Sequence, residues 1–483
     1  MRFESLCGNP FDRSDLQISG LSVDSRKIKA GYLFIATKGG QDDGHKYAED
    51  AIKNGAIAVI SERPLAIRVP NFVDPQLVAK ISGFAGEFYG SPSSQLRCIG
   101  VTGTNGKTSI AYFCSHLIDN CGFIGSIGWG NPNHLLSTRL TTPDPVTVQE
   151  CLANFRDSGL TAAAIEVSSH ALSQDRVSSV YFDTAIFSNL SRNHLDYHGS
   201  MEEYRRAKKR LFSYPTLKLG VINRNDLFGR ELLTFLEKRN IPSLSYGDRY
   251  ADIYWENINF QKHGTTGKWK TPWGSANFFL PLYGQFSLFN AAAALATVLY
   301  SGSDFFTTVD SMRSIPNVPG RMQIIRRKSC PTVIVDYAHT PHGISAVLQA
   351  IKAHHEGRLF CVFGCGGDRD NGKRPLMARA AEELADNIFV TSDNPRSEDP
   401  EKIISEIVAG FSLKKHKVCS DRKDAIETAI SQAIEGDVVL IAGKGSEKFQ
   451  EIQGQRYPLN DFETTTNVLD ERSHTLPPGG RTL

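Results

Sequence analysis

The chain has 483 residues, too many for one hydrophobic core, so we expect two to four domains. Its composition is ordinary for a globular protein, and a net charge of +2 gives no electrostatic reason to expect nucleic acid or a membrane as a partner. The longest apolar run, AAAALATVLY at 291–300, is far shorter than the roughly 20 residues that span a bilayer.

The N-terminus and the cysteines predict a cytoplasmic protein. Residues 1–15 contain acids and a proline where a signal peptide needs an apolar run. Nine cysteines occur without any C-x-x-C pair, and Cys361 and Cys365 lack the second pair that would complete a zinc site. We therefore expect free thiols in a reducing compartment.

Short apolar runs alternate with helical patterns, which predicts an α/β fold. Residues 18–62 predict two or three strands and one helix, and YGSPSSQ at 89–95 has the composition of a linker. A second boundary is expected near 313–323, and the tail 473–483 is expected to be loose.

Four later strand-like runs each end in polar or glycine-rich residues: PTVIVDYAHTP, RLFCVFGCGGDRD, NIFVTSDNPRSEDP and DVVLIAGKGSE. Ligands of parallel sheets gather at the carboxyl ends of the strands. These four endings are therefore candidates for one site.

The stretch IGVTGTNGKTSI at 99–110 predicts a phosphate-binding loop between a strand and a helix. Gly103 and Gly106 would let backbone N–H groups face phosphate oxygens, Lys107 would add a charge, and Thr108 could bind Mg²⁺. Val101 stands where the usual pattern has its first glycine, so a chance glycine-rich turn is the alternative.

Two polar residues follow buried strands at what we expect to be neighbouring strand ends. Glu166 lies in AAAIEVSSHAL and His194 in TAIFSNLSRNHLDYHG. A carboxylate and an imidazole so placed could share a metal ion, although Mg²⁺ prefers oxygen ligands. A satisfied core histidine and a helix-capping glutamate are the structural alternatives.

The segment SMEEYRRAKKRLF at 200–212 predicts a helix that begins with a capping box of Ser200 and Glu203. Its apolar arc contains Lys208, which either extends its ammonium to solvent or serves a site.

Together these stretches resemble the Mur ligase family, ATP-dependent enzymes that build the peptide stem of bacterial peptidoglycan. The similar motifs are GVTGTNGKTS, EVSSHAL, NLSRNHLDYHGSMEEYRRAK, VDYAHTP, FGCGGDRDNGKRPLM and SDNPRSEDP, in order from 100 to 400. DSRKIKAGYLFIA and AGKGSE extend the resemblance to nearly the whole chain.

The resemblance implies three α/β domains. They are an N-terminal domain for the UDP end (1–94), a central P-loop ATPase-type parallel sheet (95–317) and a Rossmann-like domain for the amino acid (318–483). It also implies a cytoplasmic monomer that uses ATP and Mg²⁺ on small-molecule substrates. A carboxylate of UDP-MurNAc-L-Ala-D-Glu would be phosphorylated by ATP, and the amine of the third stem residue would then displace phosphate.

The resemblance also implies roles for individual residues. Lys107, Lys208, Glu166 and His194 would be catalytic, with Thr108, Glu166, His194 and Lys208, as its carbamate, binding the metal. ATP would contact Gly103, Thr104, Asn105, Gly106, Lys107, Thr108, Asn290, Arg321 and Asp336. The muramyl substrate would contact Ser25, Thr141, Thr142, Ser169 and Arg176, the last being otherwise a surface arginine.

SDNPRSEDP bears on which amino acid is added. Family members that add meso-diaminopimelate have Arg after Asn-Pro, as here, and members that add L-lysine differ. A free carboxylate suits the two-pronged donor of Arg396, whereas lysine would leave that charge unpaired. The pocket implied for meso-diaminopimelate comprises Arg369, Asn394, Pro395, Arg396, Gly443 and Glu447. A surface salt bridge is the structural alternative for Arg396.

Four positions depart from the family pattern. Asn193 replaces Asp, Ser287 replaces Asn, Ser446 replaces His and Phe462 replaces Arg. Ligation of L-lysine and a non-catalytic nucleotide-binding relative therefore stay open as alternatives. A GTP switch is disfavoured because N-K-x-D is absent, and folylpolyglutamate synthetase would need neither the DNPR nor the DSR stretch.

Overall fold

The computed structural model describes residues 16–39, 42–138, 140–413 and 416–475. The predictions for the first 15 residues and for most of the tail, 476–483, lie outside the described residues. The chain divides into two compact units, Met1–Tyr254 with Thr271–Trp273 and Phe289–Thr308, and Trp255–Lys270 with Gly274–Leu288 and Val309–Leu483.

The first part of the chain forms a four-stranded parallel sheet in the order β1-β2-β3-β4. The sequence prediction for 18–62 is confirmed, since three strands and one α-helix lie there. The elements are β1 Gly20–Ser22, β2 Tyr32–Ala36, α1 Ala48–Lys53, β3 Ala56–Ser61, β4 Asn71–Val73 and α2 Leu77–Phe88.

A second sheet contains the phosphate-loop strand at its centre. Strands β12-β11-β10-β5-β9-β6 run parallel, and the hairpin strands β7 and β8 continue the sheet antiparallel. The strands are β5 Arg97–Thr102, β6 Cys121–Gly125, β7 Gly128–Asn131, β8 His134–Leu136, β9 Ala162–Glu166, β10 Phe182–Phe187, β11 Leu219–Asn223 and β12 Ser243–Gly247. The helices are α3 Lys107–Leu117, α4 Pro145–Asp157, α5 Ser169–Ser173, α6 Leu195–His198, α7 Met201–Lys209 and α8 Leu227–Lys238.

Three further strands and two helices follow. Strands β13 Ile253–Gln261, β14 Gly264–Thr271 and β15 Gly274–Leu280 are hydrogen-bonded in that order. The helices are α9 Gln285–Tyr300 and α10 Phe305–Ser311.

The last sheet has helices on both faces, and its strands therefore bury alternate residues in two different apolar clusters. Val438 and Leu440 belong to one apolar cluster, and Val439 and Ile441 belong to another. The strand order is β16-β17-β21-β18-β19-β20, with β16 antiparallel and the rest parallel. The elements are β16 Gln323–Ile325, β17 Thr332–Asp336, α11 Pro341–His354, β18 Leu359–Phe363, α12 Lys373–Leu384, β19 Asn387–Val390, α13 Pro400–Val408, β20 His416–Val418, α14 Arg422–Gln432, β21 Val438–Ala442, the hairpin β22 Phe449–Ile452 and β23 Gln455–Pro458, and α15 Asp461–Thr475.

The expected three-domain α/β architecture, with a Rossmann-like last domain, is confirmed, since each expected domain has its own main sheet; the first compact unit contains the first of these sheets and most of the second. The four predicted strand endings follow β17, β18, β19 and β21, which lie side by side and parallel. The exact boundaries at 94 and 317 stay predictions. The eight cysteines in the described part of the chain are free thiols, as expected. None of the described helices is long and apolar enough to cross a membrane.

We predict that acid destabilises the second unit through His355. Partial burial, and then the positive charge of Arg326, lowers the pKa of His355 from 6.5 to about 4. Between these two pH values the unfolded chain binds a proton that the folded chain does not, so stability falls as pH drops from about 6.5 to about 4. The thermal unfolding midpoint should decline over this range, and His355→Gln should flatten the decline. An identical pH profile in the variant would contradict the assignment.

Candidate active site

The phosphate loop lies at the carboxyl end of β5, between β10 and β9 in the sheet. Helix α3 begins at Lys107, directly after Gly106 in the left-handed region at φ 84°. A Cβ at Gly103 would lie 1.8 Å from Oγ of Ser188, and one at Gly106 would lie 2.5 Å from Oδ1 of Asn290. Glycine is therefore required at both positions, which explains the sequence pattern.

Hydrogen bonds with neighbouring residues hold the phosphate loop in its conformation. The N–H of Thr104 donates to the carbonyl oxygen of Asn189 (2.8 Å), and Oγ of Ser188 donates to that of Asn105 (2.5 Å). The Thr104 hydroxyl also lies 3.2 Å from the hydroxyl of Tyr204. Strand β10 and helix α7 thus fix the loop from one side.

Two lysines donate to one oxygen in this loop. Nζ of Lys107 lies 3.0 Å and Nζ of Lys208 lies 2.7 Å from the carbonyl oxygen of Gly103. Lys208 is 1% exposed, so its ammonium does not extend to solvent, and this settles the choice that its helical position left open. Burial, and then the nearby charge of Lys107, hold the pKa of Lys208 well below its usual range.

Helix α7 presents Lys208 as its amphipathic pattern predicts. Tyr204, Ala207, Leu211 and Phe212 are buried beside it. Only half of the capping box forms: the Glu203 N–H donates to Oγ of Ser200, but the Glu203 carboxylate accepts from Arg206.

Glu166 ends β9 and faces the loop with a buried carboxylate. Its Oε2 accepts from the hydroxyl of Thr108 (3.1 Å), and its Oε1 accepts from the N–H of Ser126 (2.7 Å). The hydroxyl of Ser126 lies 3.3 Å from Oε2 and 3.1 Å from Oγ1 of Thr141. The alternative of a simple helix cap is excluded, since these partners come from the loop helix and from the end of β6.

His194 lies at the start of α6, after β10. Because β5 separates β10 from β9, the expectation that Glu166 and His194 stand at adjacent strand ends is wrong by one strand. Much of the surface of His194 is exposed. Desolvation by the surrounding protein nevertheless lowers the pKa of its imidazole to about 4, and the neighbouring His170, Lys107 and Lys208 contribute to the shift. Its imidazole is therefore neutral at pH 7 and available as a ligand.

The side-chain oxygen of Asn193 supports the backbone of His194, a contact that the aspartate of the family pattern could also make. His194 has φ 54°, which is uncommon for a residue with a side chain, and its N–H donates to Oδ1 of Asn193 (2.9 Å). Within the described residues, no three His, Cys, Asp or Glu side chains form a metal cluster. A metal here would need hydroxyl or lysine-derived ligands as well.

The residues expected to contact the muramyl substrate lie partly together. The hydroxyl of Thr142 donates to the carbonyl oxygen of Glu166 (2.6 Å), and Arg176 donates to that of Thr142 (2.8 Å). Arg176 is half-buried, so it is not a simple surface arginine. The hydroxyl of Ser169 lies 2.9 Å from Nε2 of His198. Ser25 lies apart in a short 3-10 helix after β1.

In the second unit, Asp336 ends β17 and is buried, and burial raises the pKa of its carboxyl group. Both its oxygens accept backbone N–H groups, from Met322 and Ala338, at 2.7 Å each. The guanidinium of Arg321 lies over the ring of Tyr337 at 4.3 Å. These two residues from the expected ATP set therefore lie close to β17.

The ends of β19 and β21 meet, as the sequence predicts. Nδ2 of Asn394 donates to Oε2 of Glu447 (2.8 Å), and the loop at Gly443 has φ 117°. A Cβ at Gly443 would lie 2.7 Å from Oδ2 of Asp393. Arg369 is exposed and donates a hydrogen bond to the carbonyl oxygen of the adjacent Asp368. Within the described chain it forms no hydrogen bond with Asn394.

The backbone of Arg396 has an uncommon conformation, and most hydrogen-bond donors of its guanidinium are unused within the described residues. Its φ is 52°, its N–H donates to the carbonyl oxygen of Glu451 (3.0 Å), and its own carbonyl oxygen accepts from Gln453 (2.7 Å). Within the described residues only Nη1 has a hydrogen bond, 2.6 Å to the carbonyl oxygen of Gly367. Its guanidinium forms no salt bridge with any described residue, so the alternative of a surface salt bridge is not observed.

Sequence reasoning missed two residues in these sites. Ser126 follows the strand end GFIG at the same sheet edge as Glu166, a signal that was available. Lys444 stands between two glycines after buried β21 and contacts both Asn394 and Glu447. Its place within AGKGSE was the available signal.

We predict that Gly106→Ala weakens ATP binding at least about tenfold, because the new Cβ would meet Asn290. Gly159→Ala is the matched control, since Gly159 also has positive φ (78°) but nothing within 4 Å of a Cβ. Both variants should lose roughly 1 kcal/mol of stability from backbone strain. Calorimetric titration with ATP separates them, and equal ATP affinity in the two variants would contradict the loop assignment.

Comparisons with known proteins show to which family the chain belongs. Three family models match: "Mur ligase family, catalytic domain" at 17–82, "Mur ligase middle domain" at 101–298 and "Mur ligase, glutamate ligase domain" at 320–445. The UDP-N-acetylmuramoyl-L-alanyl-D-glutamate–2,6-diaminopimelate ligase of Ectopseudomonas mendocina is 44% identical over 95% of this chain and 96% of its own.

Solved structures are similar as well. A ligase of the same name is 37% identical, with a TM-score of 0.71 over 98% of this chain and 100% of its own. The MurF ligase of Thermotoga maritima in complex with ADP shares the fold, with 19% identity and a TM-score of 0.67 over 95% of this chain and 99% of its own. The chain therefore belongs to the Mur ligase family of ATP-dependent ligases.

Proposed function

We propose that this chain joins meso-diaminopimelate to UDP-MurNAc-L-Ala-D-Glu with consumption of ATP, in the synthesis of peptidoglycan precursors. The observation that carries the choice of amino acid is the half-buried guanidinium of Arg396, which has only one hydrogen bond within the described chain. Such a group matches the second carboxylate of diaminopimelate, which L-lysine lacks. The names of the similar ligases support the same substrates.

The first step activates a carboxylate. The terminal carboxylate of the muramyl dipeptide attacks the γ-phosphorus of ATP, forming an acyl phosphate and releasing ADP. The N–H groups of the 103–108 loop and the ammonium of Lys107 stabilise the negative charge of the transferring phosphoryl group. The ATP-binding set is Gly103, Thr104, Asn105, Gly106, Lys107, Thr108, Asn290, Arg321 and Asp336.

Four residues suit a bound Mg²⁺: Thr108, Glu166, His194 and Lys208. The fit rests on the buried Glu166 carboxylate beside the Thr108 hydroxyl, and on Lys208, which has no carboxylate partner in the described chain. We propose that Lys208 is carbamylated, its amine adding CO₂ with loss of a proton, so that it supplies an anionic oxygen ligand. Mg²⁺ would neutralise charge on the phosphates.

The second step forms the amide. The amine of diaminopimelate attacks the acyl phosphate, and the tetrahedral intermediate expels inorganic phosphate. Asn394, Pro395, Arg396, Gly443, Glu447 and, from its exposed loop, Arg369 would hold the distal end of the amino acid. Ser25, Thr141, Thr142, Ser169 and Arg176 would hold the muramyl substrate, with Arg176 suited to its anionic groups. We further propose that the enzyme acts as a cytoplasmic monomer.

Phosphate release tests this proposal directly. The chain is incubated with ATP, Mg²⁺ and UDP-MurNAc-L-Ala-D-Glu, with meso-diaminopimelate, L-lysine or no amino acid. We expect release only with diaminopimelate, because a site built around a charged hydrogen bond rejects the analogue that lacks the group by roughly 10⁴-fold. Phosphate release with L-lysine alone would contradict the amino-acid assignment. No phosphate release in any of the three reactions would favour a non-catalytic relative.

Arg396→Lys serves as the specificity control in the same assay. It keeps the charge but loses the planar two-pronged donor, so the KM for diaminopimelate should rise while the KM for ATP stays unchanged. An unchanged KM for diaminopimelate would remove Arg396 from the pocket.

A further inference from the structure

Lys444 is a fully buried charge in the loop that follows β21. Its exposed fraction is 0%, and it lies between Gly443 and Gly445, both at positive φ (117° and 54°). A Cβ at Gly445 would come within 2.7 Å of the carbonyl oxygen of Gly320. The two glycines therefore let the loop turn tightly enough to direct the side chain of Lys444 inward.

The buried ammonium contacts two residues of the proposed amino-acid pocket. Nζ lies 2.9 Å from Oδ1 of Asn394 and 3.0 Å from Oε2 of Glu447. It also lies 5.9 Å from the centroid of the Phe449 ring. Neither polar partner lies next to Lys444 in the chain, so the contact connects the end of β19 to the loop after β21.

These contacts fix which way the Asn394 amide faces. An asparagine amide can present either its oxygen or its nitrogen to a neighbour. Here Oδ1 accepts from Lys444 and from the N–H of Glu451 (2.9 Å), so Nδ2 must face Glu447, to which it donates at 2.8 Å. Without the ammonium, one of the two donors that hold the oxygen in place is lost.

The same contacts also orient Glu447. Its Oε2 accepts from both Lys444 and Asn394, whereas its Oε1 has no donor within the described residues. One carboxylate oxygen is therefore held by the protein, and the other is left for a ligand donor. Arg396, which follows Asn394 and Pro395 in the chain, offers the complementary charge, so an ammonium and a carboxylate on one carbon could be bound together.

We infer that Lys444 is a positioning residue that orients Asn394 and Glu447 for the distal ammonium of the incoming diamino acid. The inference rests on the proposed function of this pocket. A purely stabilising role is a poorer explanation, because a buried ion pair contributes little net stability compared with an apolar side chain of similar volume.

The test is the steady-state kinetics of Lys444→Met in the full chain. We expect the KM for meso-diaminopimelate to rise about 10- to 100-fold, the effect of weakening a hydrogen bond to a charged group. The KM values for ATP and for the muramyl substrate, and kcat, should change less than about threefold. Lys448→Met is the matched control, since Lys448 is exposed and its side chain contacts neither Asn394 nor Glu447; it should behave as the parent chain.

A double-mutant cycle with Glu447→Gln separates positioning from independent binding. If Lys444 acts through Glu447, the double variant should raise the KM for diaminopimelate less than the product of the single effects. Multiplicative effects, or an unchanged KM in Lys444→Met, would overturn the inference. If Lys444→Met folds poorly, Lys444→Gln retains a donor one atom shorter, and it should raise the same KM selectively; an unselective loss of kcat would overturn the inference. Failure of the parent chain to release phosphate with diaminopimelate would instead overturn the proposed function.

Discussion

The central site depends on one carbonyl oxygen. The carbonyl oxygen of Gly103 accepts hydrogen bonds from the side-chain nitrogens of both Lys107 and Lys208. When both are protonated, two like charges lie close together in a mostly buried place. Such an arrangement is unfavourable unless anions lie beside it. The phosphates of ATP would supply such anions, and the proposed carbamylation would replace the positive charge on Lys208 by a negative one. The geometry explains why this chain needs a glycine at 103 and a lysine inside an apolar arc.

The pocket at the ends of β19 and β21 follows a similar principle. Within the described residues, Arg396 and Glu447 each use only part of their hydrogen-bonding capacity, and in the proposed function the rest binds the amino acid. Holding charged groups in place before the ligand arrives reduces the entropy lost on binding. The uncommon φ of Arg396, supported by Glu451 and Gln453, is a strain that function can account for.

Much of this could be predicted from the sequence because the signals are local. Strand endings, the helix that begins at Lys107 and the apolar arc around Lys208 depend on short-range periodicity, and the structure agrees with each. The sequence prediction put His194 one strand too close to Glu166, because the order of strands depends on the packing of the whole sheet. The partners of Ser126 and Lys444 lie about 40 and 50 residues away, so the local pattern marks these residues as candidates but does not reveal which residues they contact.

The departures from the family pattern also become clearer in three dimensions. Asn193 supports the left-handed backbone of His194, and the hydroxyl of Ser287 donates to the carbonyl oxygen of Tyr283 (2.7 Å), which precedes helix α9. Both therefore satisfy local hydrogen bonds without a change of fold. Ser446 lies beside the loop of Lys444, where the fixed ammonium orders the pocket. Nothing in the structure explains Phe462, which is 37% exposed.

In the proposed reaction the phosphate loop serves to activate a carboxylate for amide formation. Isotope transfer tests it most directly. The muramyl dipeptide is labelled with ¹⁸O in its terminal carboxylate, and the inorganic phosphate released during ligation is analysed by mass spectrometry. An acyl phosphate predicts one ¹⁸O atom in each phosphate, because the bridging oxygen comes from the substrate. Phosphate without ¹⁸O, formed together with the amide, would contradict the account.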